Sequence, residues 1–224
     1  MKNGWTAYLS FLVAASFLLS CSVSREKAVA AAAEGNLQAV KKFVAASPDN
    51  RDAADEYGNS LLAVSVRSKR QAITDFLIES GADVNAPDKA GMTPLHIAAT
   101  VDNLGAAKAL QGAGVDLNQR NAKDRGKTAL HYAAINGSLS VAGFLLDSGV
   151  DVDIRCSVKA TPLSWAAYMG TLDTVKFFIS RGADTTARDS YGDSILGAAK
   201  NGKKDELAAV PDGGTALQTS PLGA

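Results

Sequence analysis

A short motif recurs along this chain of 224 residues at an almost constant spacing. Its clearest copy, TPLHIAA, occupies residues 93–99. Each copy begins with Ser or Thr, which can cap a helix by accepting hydrogen bonds from its first free N–H groups. Small apolar residues follow and predict a short, closely packed helix. The copies begin at Ser60, Thr93, Thr128, Thr161 and Ser194, at spacings of 33, 35, 33 and 33 residues.

A second motif follows the first four of these copies. It reads GADVN at Gly81, GVDLN at Gly114, GVDVD at Gly149 and GADTT at Gly182. With a period of about 33 residues and a TPLHxAA core, the chain resembles the ankyrin repeat family. The resemblance covers about residues 27–209. It implies an all-α ankyrin-repeat solenoid of paired antiparallel helices with finger loops, built from four recognisable repeats plus degenerate N- and C-terminal caps.

Two departures from the repeat pattern predict local differences. Gly35, Gly137 and Gly170 hold the turn between the two helices of their repeats, whereas Lys69 and Asp102 hold it in repeats two and three. If those turns are left-handed, a non-glycine residue costs roughly 1–2 kcal/mol, so these repeats are expected to be softer. The loop at residues 118–127 is two residues longer than its counterparts and is expected to project as a longer finger.

The N-terminus resembles a bacterial lipoprotein signal peptide. Lys2 precedes an uncharged, largely apolar run over residues 5–20, and the run ends in LLSC, similar to a lipobox with Cys21 as the lipidated residue. A transmembrane anchor is the alternative, since about 18 apolar residues can span a bilayer. The predicted domains are a signal peptide (1–20) cleaved before Cys21, a lipidated tether (21–26), the ankyrin repeat domain (27–210) and a loose C-terminal tail (211–224).

The same resemblance predicts where the protein is located. A lipid-anchored domain behind such a signal would face the periplasm. Ser22 follows the cysteine, and by similarity to proteobacterial sorting rules a non-aspartate residue there favours the outer membrane. We therefore expect a protein of the cell envelope that contacts the membrane through its lipid anchor only.

Charge gives no support to nucleic-acid binding. The chain has 23 basic and 23 acidic residues. Lys2 is the only charged residue among residues 1–20, so cleavage before Cys21 would leave 22 basic and 23 acidic residues, a net charge of −1. Such a balance provides no bulk attraction to nucleic acid or anionic lipid. We expect a monomer without a cofactor that binds one or more proteins of the cell envelope.

The sequence contains no recognisable catalytic or metal-binding motif. The two histidines, His96 and His131, occupy the fourth position of TPLH-like motifs, where the resemblance implies a structural histidine that bonds to the next loop. Cys156 would be the only thiol left after lipidation of Cys21. A redox or enzyme accessory role that uses this thiol is the alternative function, because Arg155 and Lys159 could lower its pKa.

The favoured function is a non-catalytic protein-binding scaffold, exported as a lipoprotein, that captures or shields another exported protein. By resemblance, partners bind in a concave groove formed by the finger tips and the first helix of each repeat. Tyr168 is the expected central anchor of a hot spot in repeats four and five. For Ile135 and Met169, packing between repeats is the alternative. The predicted partner-binding residues are Arg67, Lys89, Met92, Arg125, Lys127, Ile135, Tyr168 and Met169.

Overall fold

The computed structural model describes residues 25–202, without the side chains of residues 196, 200 and 201. Helices account for the regular structure in this range, and β-structure is limited there to two isolated bridges. The all-α ankyrin-repeat fold class predicted from the sequence is confirmed. The predicted signal peptide, Cys21 and the C-terminal tail lie outside the described residues.

The helices follow one another in pairs. The first, α1, includes residues 25–34, so it takes in Arg25 and Glu26 of the predicted tether. A short 3-10 helix spans Pro48–Asp52. The later helices are α2 Leu37–Ala46, α3 Leu61–Arg67, α4 Gln71–Glu79, α5 Pro94–Thr100, α6 Leu104–Gly112, α7 Ala129–Asn136, α8 Leu139–Asp147, α9 Pro162–Met169, α10 Leu172–Ser180 and α11 Ile195–Asn201.

The repeated Ser or Thr residues cap the first helix of their pairs, as their chemistry predicts. Ser60 Oγ accepts the N–H of Ala63 at 3.1 Å, at the start of α3. Thr161 Oγ1 accepts the N–H of Ser164 at 3.2 Å, and Pro162 occupies the first turn of α9. Each cap satisfies an N–H group that the helix itself cannot bond, which typically stabilises a helix by about 1 kcal/mol.

The turns between paired helices are left-handed at the two predicted non-glycine positions. Lys69 has φ 55° and Asp102 has φ 51°. Asp102 has an additional role, because its carboxylate accepts the Val141 N–H at 3.0 Å and the Ser140 hydroxyl at 2.9 Å. It therefore caps α8 of the following repeat. These hydrogen bonds offset the backbone strain at Asp102, so the loss of stability expected for repeat three is smaller.

Gly170 does not adopt the left-handed conformation expected of a turn glycine. Its φ is −76° and its ψ −159°, an extended conformation. The need for glycine comes from packing, because a Cβ at this position would lie 2.7 Å from the Ala166 carbonyl oxygen and 2.8 Å from that of Ala134. Both neighbours are backbone atoms that cannot rotate away. Close packing, and not a left-handed turn, therefore requires glycine at this position.

The chain forms two compact units. Among the described residues, the first comprises residues 25–94 with Lys108–Val115, and the second comprises Leu95–Ala107 with residues 116–202. In the first unit α3 packs against α4. Its core contains the buried side chains Leu61, Leu62, Ile73 and Leu77.

The second unit contains the repeats with the most regular sequence motifs. Helix α9 packs against α7, α10 and α11. Leu130 of α7, Leu163 of α9 and Phe178 of α10 are completely buried. The small residues predicted for these helices allow this close approach, since Ala133, Ala134, Ala166 and Ala167 are also completely buried.

Candidate functional site

The second unit contains a pocket of about 160 Å³ beside α9, which we call the Trp165 pocket. Two helices, α9 and α11, and the neighbouring finger loops line it. Tyr168 and Tyr191 line the pocket and are 41% and 75% exposed, unusual values for such large side chains. The lining residues with aromatic or charged side chains are Arg125, Trp165, Tyr168, Asp189, Tyr191 and Asp193.

Trp165 is the buried aromatic wall of this pocket. Only 7% of its surface is exposed, and its indole stands edge-on to Tyr168 with ring centroids 6.0 Å apart. Two cations lie over the indole, with Lys127 Nζ at 4.1 Å and Arg125 Cζ at 5.8 Å from the ring centroid. Each is within the range of a cation–π interaction. The buried Nε1–H of Trp165 has no acceptor among the described residues.

Lys127 does not fit its predicted role as an exposed partner contact. It is only 7% exposed, and its ammonium bonds both carboxylate oxygens of Asp124, at 2.8 and 3.0 Å. The Tyr132 hydroxyl donates to the same carboxylate at 2.8 Å. A buried charge requires such pairing. We therefore correct the prediction: Lys127 holds the long loop against Trp165 and is not available for direct contact.

The charge of Asp124 is stabilised by these contacts. Burial by itself raises the pKa of this carboxyl, but the hydrogen bonds from Lys127 and Tyr132 lower it, and the charges of Lys127 and Arg125 lower it further. The net effect is a pKa below the ordinary value for aspartate. The Asp124 carboxylate is consequently charged at neutral pH, where it accepts the hydrogen bonds from Lys127 and Tyr132.

The long loop is bonded both to itself and to the next finger loop. An isolated antiparallel bridge joins Asn121 and Lys127. Arg120 donates from Nη1 to the carbonyl oxygen of Arg155 at 2.7 Å, and the Ser157 N–H donates to that of Arg125 at 2.8 Å. These bonds place Arg125, at the loop tip, beside the Trp165 pocket.

Three further predicted contacts in this unit have different surroundings. Tyr168 lines the pocket, as described above. Met169 is 52% exposed and is not among the lining residues. Ile135 is partly buried and packs against the cluster of Cys156, Ala160 and Trp165, so the packing alternative holds for it.

The remaining predicted contacts belong to the first unit. Arg67 is exposed, yet its guanidinium donates to Asn59 Oδ1 at 2.9 Å and lies 3.7 Å from the Asp88 carboxylate. Lys89 is exposed, and its N–H donates to the Tyr57 carbonyl oxygen at 2.9 Å. Met92 is half-buried. Their binding role stays a prediction.

The two histidines have the structural role that the family resemblance implies. His96 Nε2 lies 3.0 Å from the carbonyl oxygen of Gln119. His131 accepts the Thr128 N–H at Nδ1, at 3.2 Å, and its Nε2 lies 3.2 Å from the Ala160 carbonyl oxygen. Because Nδ1 of His131 is an acceptor, the ring hydrogen resides on Nε2 and is donated to Ala160. Each histidine thus joins a helix start to the following finger loop.

Cys156 is not placed for exchange with another thiol. It is 5% exposed and packs with Ala160 and Trp165. Thiol–disulfide exchange needs access to the sulfur, so this burial does not favour the redox alternative. Cys156→Ser separates the two functions, since it should leave partner capture intact and abolish a thiol-based activity.

Lys159 occupies a finger-tip position at which the other repeats have glycine. It lies two residues before the cap Thr161 and has φ 58°, whereas Gly58, Gly91 and Gly192 have φ near 80° at equivalent positions. A non-glycine residue in this conformation costs roughly 1–2 kcal/mol. Glycine avoids this cost, but it also gives the unfolded chain more conformational freedom, which offsets part of the gain in stability.

We therefore expect Lys159→Gly to raise the free energy of unfolding by about 0.5–1 kcal/mol. Urea unfolding followed by circular dichroism measures the change. The matched control is Lys176→Gly, inside helix α10, which should lower the same free energy by about 1 kcal/mol. A destabilised Lys159→Gly protein would contradict the assignment of backbone strain to the finger tip.

Sequence reasoning missed Trp165 as part of the site. A signal was present, because the fifth residue of the motif is Ile97 in repeat three but the aromatic residues Tyr132 and Trp165 in the next two. Periodicity marks that position as core, and the side chain is indeed buried. Its second role, as a surface over which Arg125 and Lys127 lie, depends on the fold of the preceding loop.

The lipidation site cannot be placed in the structure, because Cys21 and Ser22 precede the described residues. Within residues 25–202, no helix combines the length and the apolar composition required to cross a bilayer. The choice between a lipid anchor and a membrane-spanning anchor for residues 5–20 therefore stays open.

Comparison with known proteins agrees with this fold. A family model described as ankyrin repeats (3 copies) matches residues 28–121 and 103–189, which together exceed half of the chain. Inversin of Gallus gallus is 32% identical over 91 residues, which are 41% of this chain and 8% of inversin. RelA-associated inhibitor of Mus musculus is 38% identical over 80 residues, which are 36% of this chain and 10% of that protein.

Inversin of Mus musculus shows a similar partial match, 35% identical over 74 residues. These residues are 33% of this chain and 7% of that inversin. The chain thus spans a tenth or less of the length of these relatives. The similarity concerns the repeats themselves.

Proposed function

Because the chain belongs to the ankyrin repeat family, we propose that it is a non-catalytic protein-binding module that captures or shields another exported protein. Ankyrin repeats generally serve as protein interaction modules. One relative is named for its association with another protein, RelA. The partner of this chain is proposed to be a protein of the cell envelope, bound by a monomer.

The group of exposed apolar side chains beside the Trp165 pocket carries this proposal. Tyr168, Met169 and Tyr191 are 41%, 52% and 75% exposed within one unit. Tyrosine, methionine and arginine are enriched at the centres of protein interfaces, and Arg125 is also present here. A tyrosine provides a large apolar face and a polar tip with few rotatable bonds to immobilise.

Tyr168→Ala is expected to weaken partner capture by about thirtyfold, because truncation of a central aromatic residue typically costs 2 kcal/mol or more. A photo-reactive amino acid in place of Met169, which is exposed and follows Tyr168 in the chain, would crosslink the partner in living cells. Mass spectrometry identifies the captured protein. The yield with and without Tyr168→Ala then measures the effect.

Lys176→Ala is the control, since Lys176 is an exposed residue of α10 that does not line the pocket. It should leave the crosslinking yield unchanged. If Lys176→Ala abolished capture and Tyr168→Ala did not, with both proteins folded, the partner would bind the opposite face. The proposal for this face would then be wrong.

We also propose that Cys21 is lipidated and attaches the repeats to the outer membrane. The apolar run that ends in LLSC, followed by Ser22, supports this proposal. Metabolic labelling with a palmitate analogue should label the wild-type chain, and Cys21→Ala should lose the label because its side chain has no sulfur. Cys156→Ser is the matched control and should keep the label. Persistent labelling of Cys21→Ala would exclude lipidation at this residue.

A further inference from the structure

We propose that the Trp165 pocket binds an acidic side chain, aspartate or glutamate, which the partner presents between apolar residues; this inference rests on the protein-binding function proposed above. Several donor groups that line the pocket have no hydrogen-bond acceptor among the described residues. A carboxylate is the complementary group, because its two oxygens only accept hydrogen bonds when it is ionised.

Arg125 provides the charge for this interaction. Its guanidinium lies over the Trp165 ring, and within the described residues it has no hydrogen bond and no ion pair. A guanidinium held over an aromatic face at this distance keeps its N–H groups available, in a geometry that matches a carboxylate. Arg125 also has φ 53°, a strained conformation for a non-glycine residue. Such strain is concentrated at functional sites.

The aromatic residues of the pocket add donors. The hydroxyl groups of Tyr168 and Tyr191 line the pocket and have no hydrogen-bond partner among the described residues. Trp165 is more than nine-tenths buried. These rings also form apolar walls, which fit the aliphatic part of an acidic side chain and the apolar residues beside it.

Two aspartates of the pocket act against an acidic ligand, but both residues have other interactions. Asp189 Oδ1 accepts the N–H groups of Tyr191 and Asp193, at 2.8 and 3.0 Å, and so closes the turn at the finger tip. Asp193 has a partner as well. Of the three charged side chains that line the pocket, that of Arg125 has no hydrogen bond and no ion pair within the described residues, and an acidic ligand would provide both.

The geometry favours a side-chain carboxylate over a chain terminus. Terminal carboxylates are usually captured by a row of free backbone N–H groups. In the loop beside Arg125, the N–H of Gly126 donates to the Asn121 carbonyl oxygen and the N–H of Lys127 to that of Asp124. These donors are occupied within the loop. The side chain of Arg125 is left as the charged contact.

Fluorescence of Trp165 tests this proposal directly. The sequence has two tryptophans, so Trp5→Phe in the full chain leaves Trp165 as the only one. The probes are nine-residue peptides of one sequence, with both ends capped and with Glu, Gln or Lys between two leucines at the centre. A fourth peptide has the Gln centre and a free terminal carboxylate. We expect the Glu peptide to change the fluorescence saturably and to bind about tenfold more tightly than the Gln peptide.

Substitutions in the pocket test which residues cause the preference for the Glu peptide. Arg125→Gln should remove the preference for Glu, whereas Lys176→Gln, a matched loss of positive charge on α10, should keep it. Tyr168→Phe retains the ring and loses one donor, so it should weaken the Glu peptide about threefold. Circular dichroism checks that each variant is folded.

Four results would overturn the inference: equal or tighter binding of the Lys peptide, equal binding of the free-carboxylate peptide, a preference for Glu that survives Arg125→Gln, or no binding of any peptide. The crosslinking experiment at Met169 keeps the two proposals distinguishable. If Tyr168→Ala abolishes capture in cells while the peptides show no preference for Glu, the carboxylate inference fails and the binding function stands. If Tyr168→Ala leaves capture unchanged, the binding function on this face fails.

Discussion

Leu130→Ala is expected to lower the free energy of unfolding by about 2–5 kcal/mol, because the change removes most of a completely buried side chain and leaves a cavity. Leu130 lies in α7, which packs against α9. Close packing keeps the surrounding side chains from filling the cavity. The lost burial of apolar atoms and the empty space therefore both lower the stability. Urea unfolding followed by circular dichroism measures the change.

The control for this cavity is Leu146→Ala in α8, where the leucine is only partly buried. It should cause a clearly smaller loss, since solvent already reaches part of the side chain. Equal effects of the two substitutions would contradict the assignment of Leu130 to the centre of the core.

Acidification is expected to destabilise the protein by about 3 kcal/mol between pH 6.5 and pH 4, through His131. Burial lowers the pKa of this histidine to about 4. Its hydrogen bond to the Ala160 carbonyl oxygen acts in the opposite direction, and the charges of Arg120 and Lys127 lower the pKa further. Protonation would also place a hydrogen on Nδ1, which accepts the Thr128 N–H.

The direction in which stability changes with pH follows from proton binding. In the unfolded chain the pKa of a histidine is near 6.5, so below that pH the unfolded state binds a proton that the folded state does not. The contribution of neutral His131 is complete above pH 6.5 and is lost as the pH falls through the interval to 4. Urea unfolding at several pH values measures the slope.

His131→Gln isolates this contribution. The variant is less stable at neutral pH, because it loses the bonds of the ring, but it should lack most of the slope between pH 6.5 and pH 4. The comparison uses the slope and not the absolute stability. An unchanged slope in His131→Gln would assign the pH dependence to other groups.

Local chemistry made much of the fold predictable. The regular spacing of Ser or Thr caps, with Pro after Thr93 and Thr161, marked where the first helix of each pair begins. A cap and the residues it serves are within one helical turn, so these signals do not depend on distant parts of the chain. The left-handed turns at Lys69 and Asp102 were predictable for the same reason, since each holds a position that is glycine in other repeats.

Gly170 shows the limit of this reasoning. Its place in the sequence is a turn position, but the structure requires glycine there because a Cβ would meet two backbone oxygens, that of Ala166 in the same repeat and that of Ala134. Ala134 belongs to the preceding repeat. A close approach between two backbones depends on how helices pack, which no local pattern states.

The candidate site was predictable in part. Exposed Tyr168 and Met169 were identified as surface residues from their positions in the repeat, and Arg125 from its place in the long loop. Lys127 and Trp165 could not be assigned in this way. A lysine in a finger loop is ordinarily solvated, and a tryptophan at a core position ordinarily packs among apolar groups.

The sequence by itself determined the repeat, its helix starts and the residue types offered to a partner. Only the tertiary structure decided that Lys127 is buried with its ammonium 4.1 Å from the Trp165 ring, and that Arg125 lies beside the pocket with no ion pair to any described residue. The physical reason is the range of the interactions. Caps and turns act within a few residues, whereas the burial of a charge depends on side chains 38 residues away along the chain, which folding brings together.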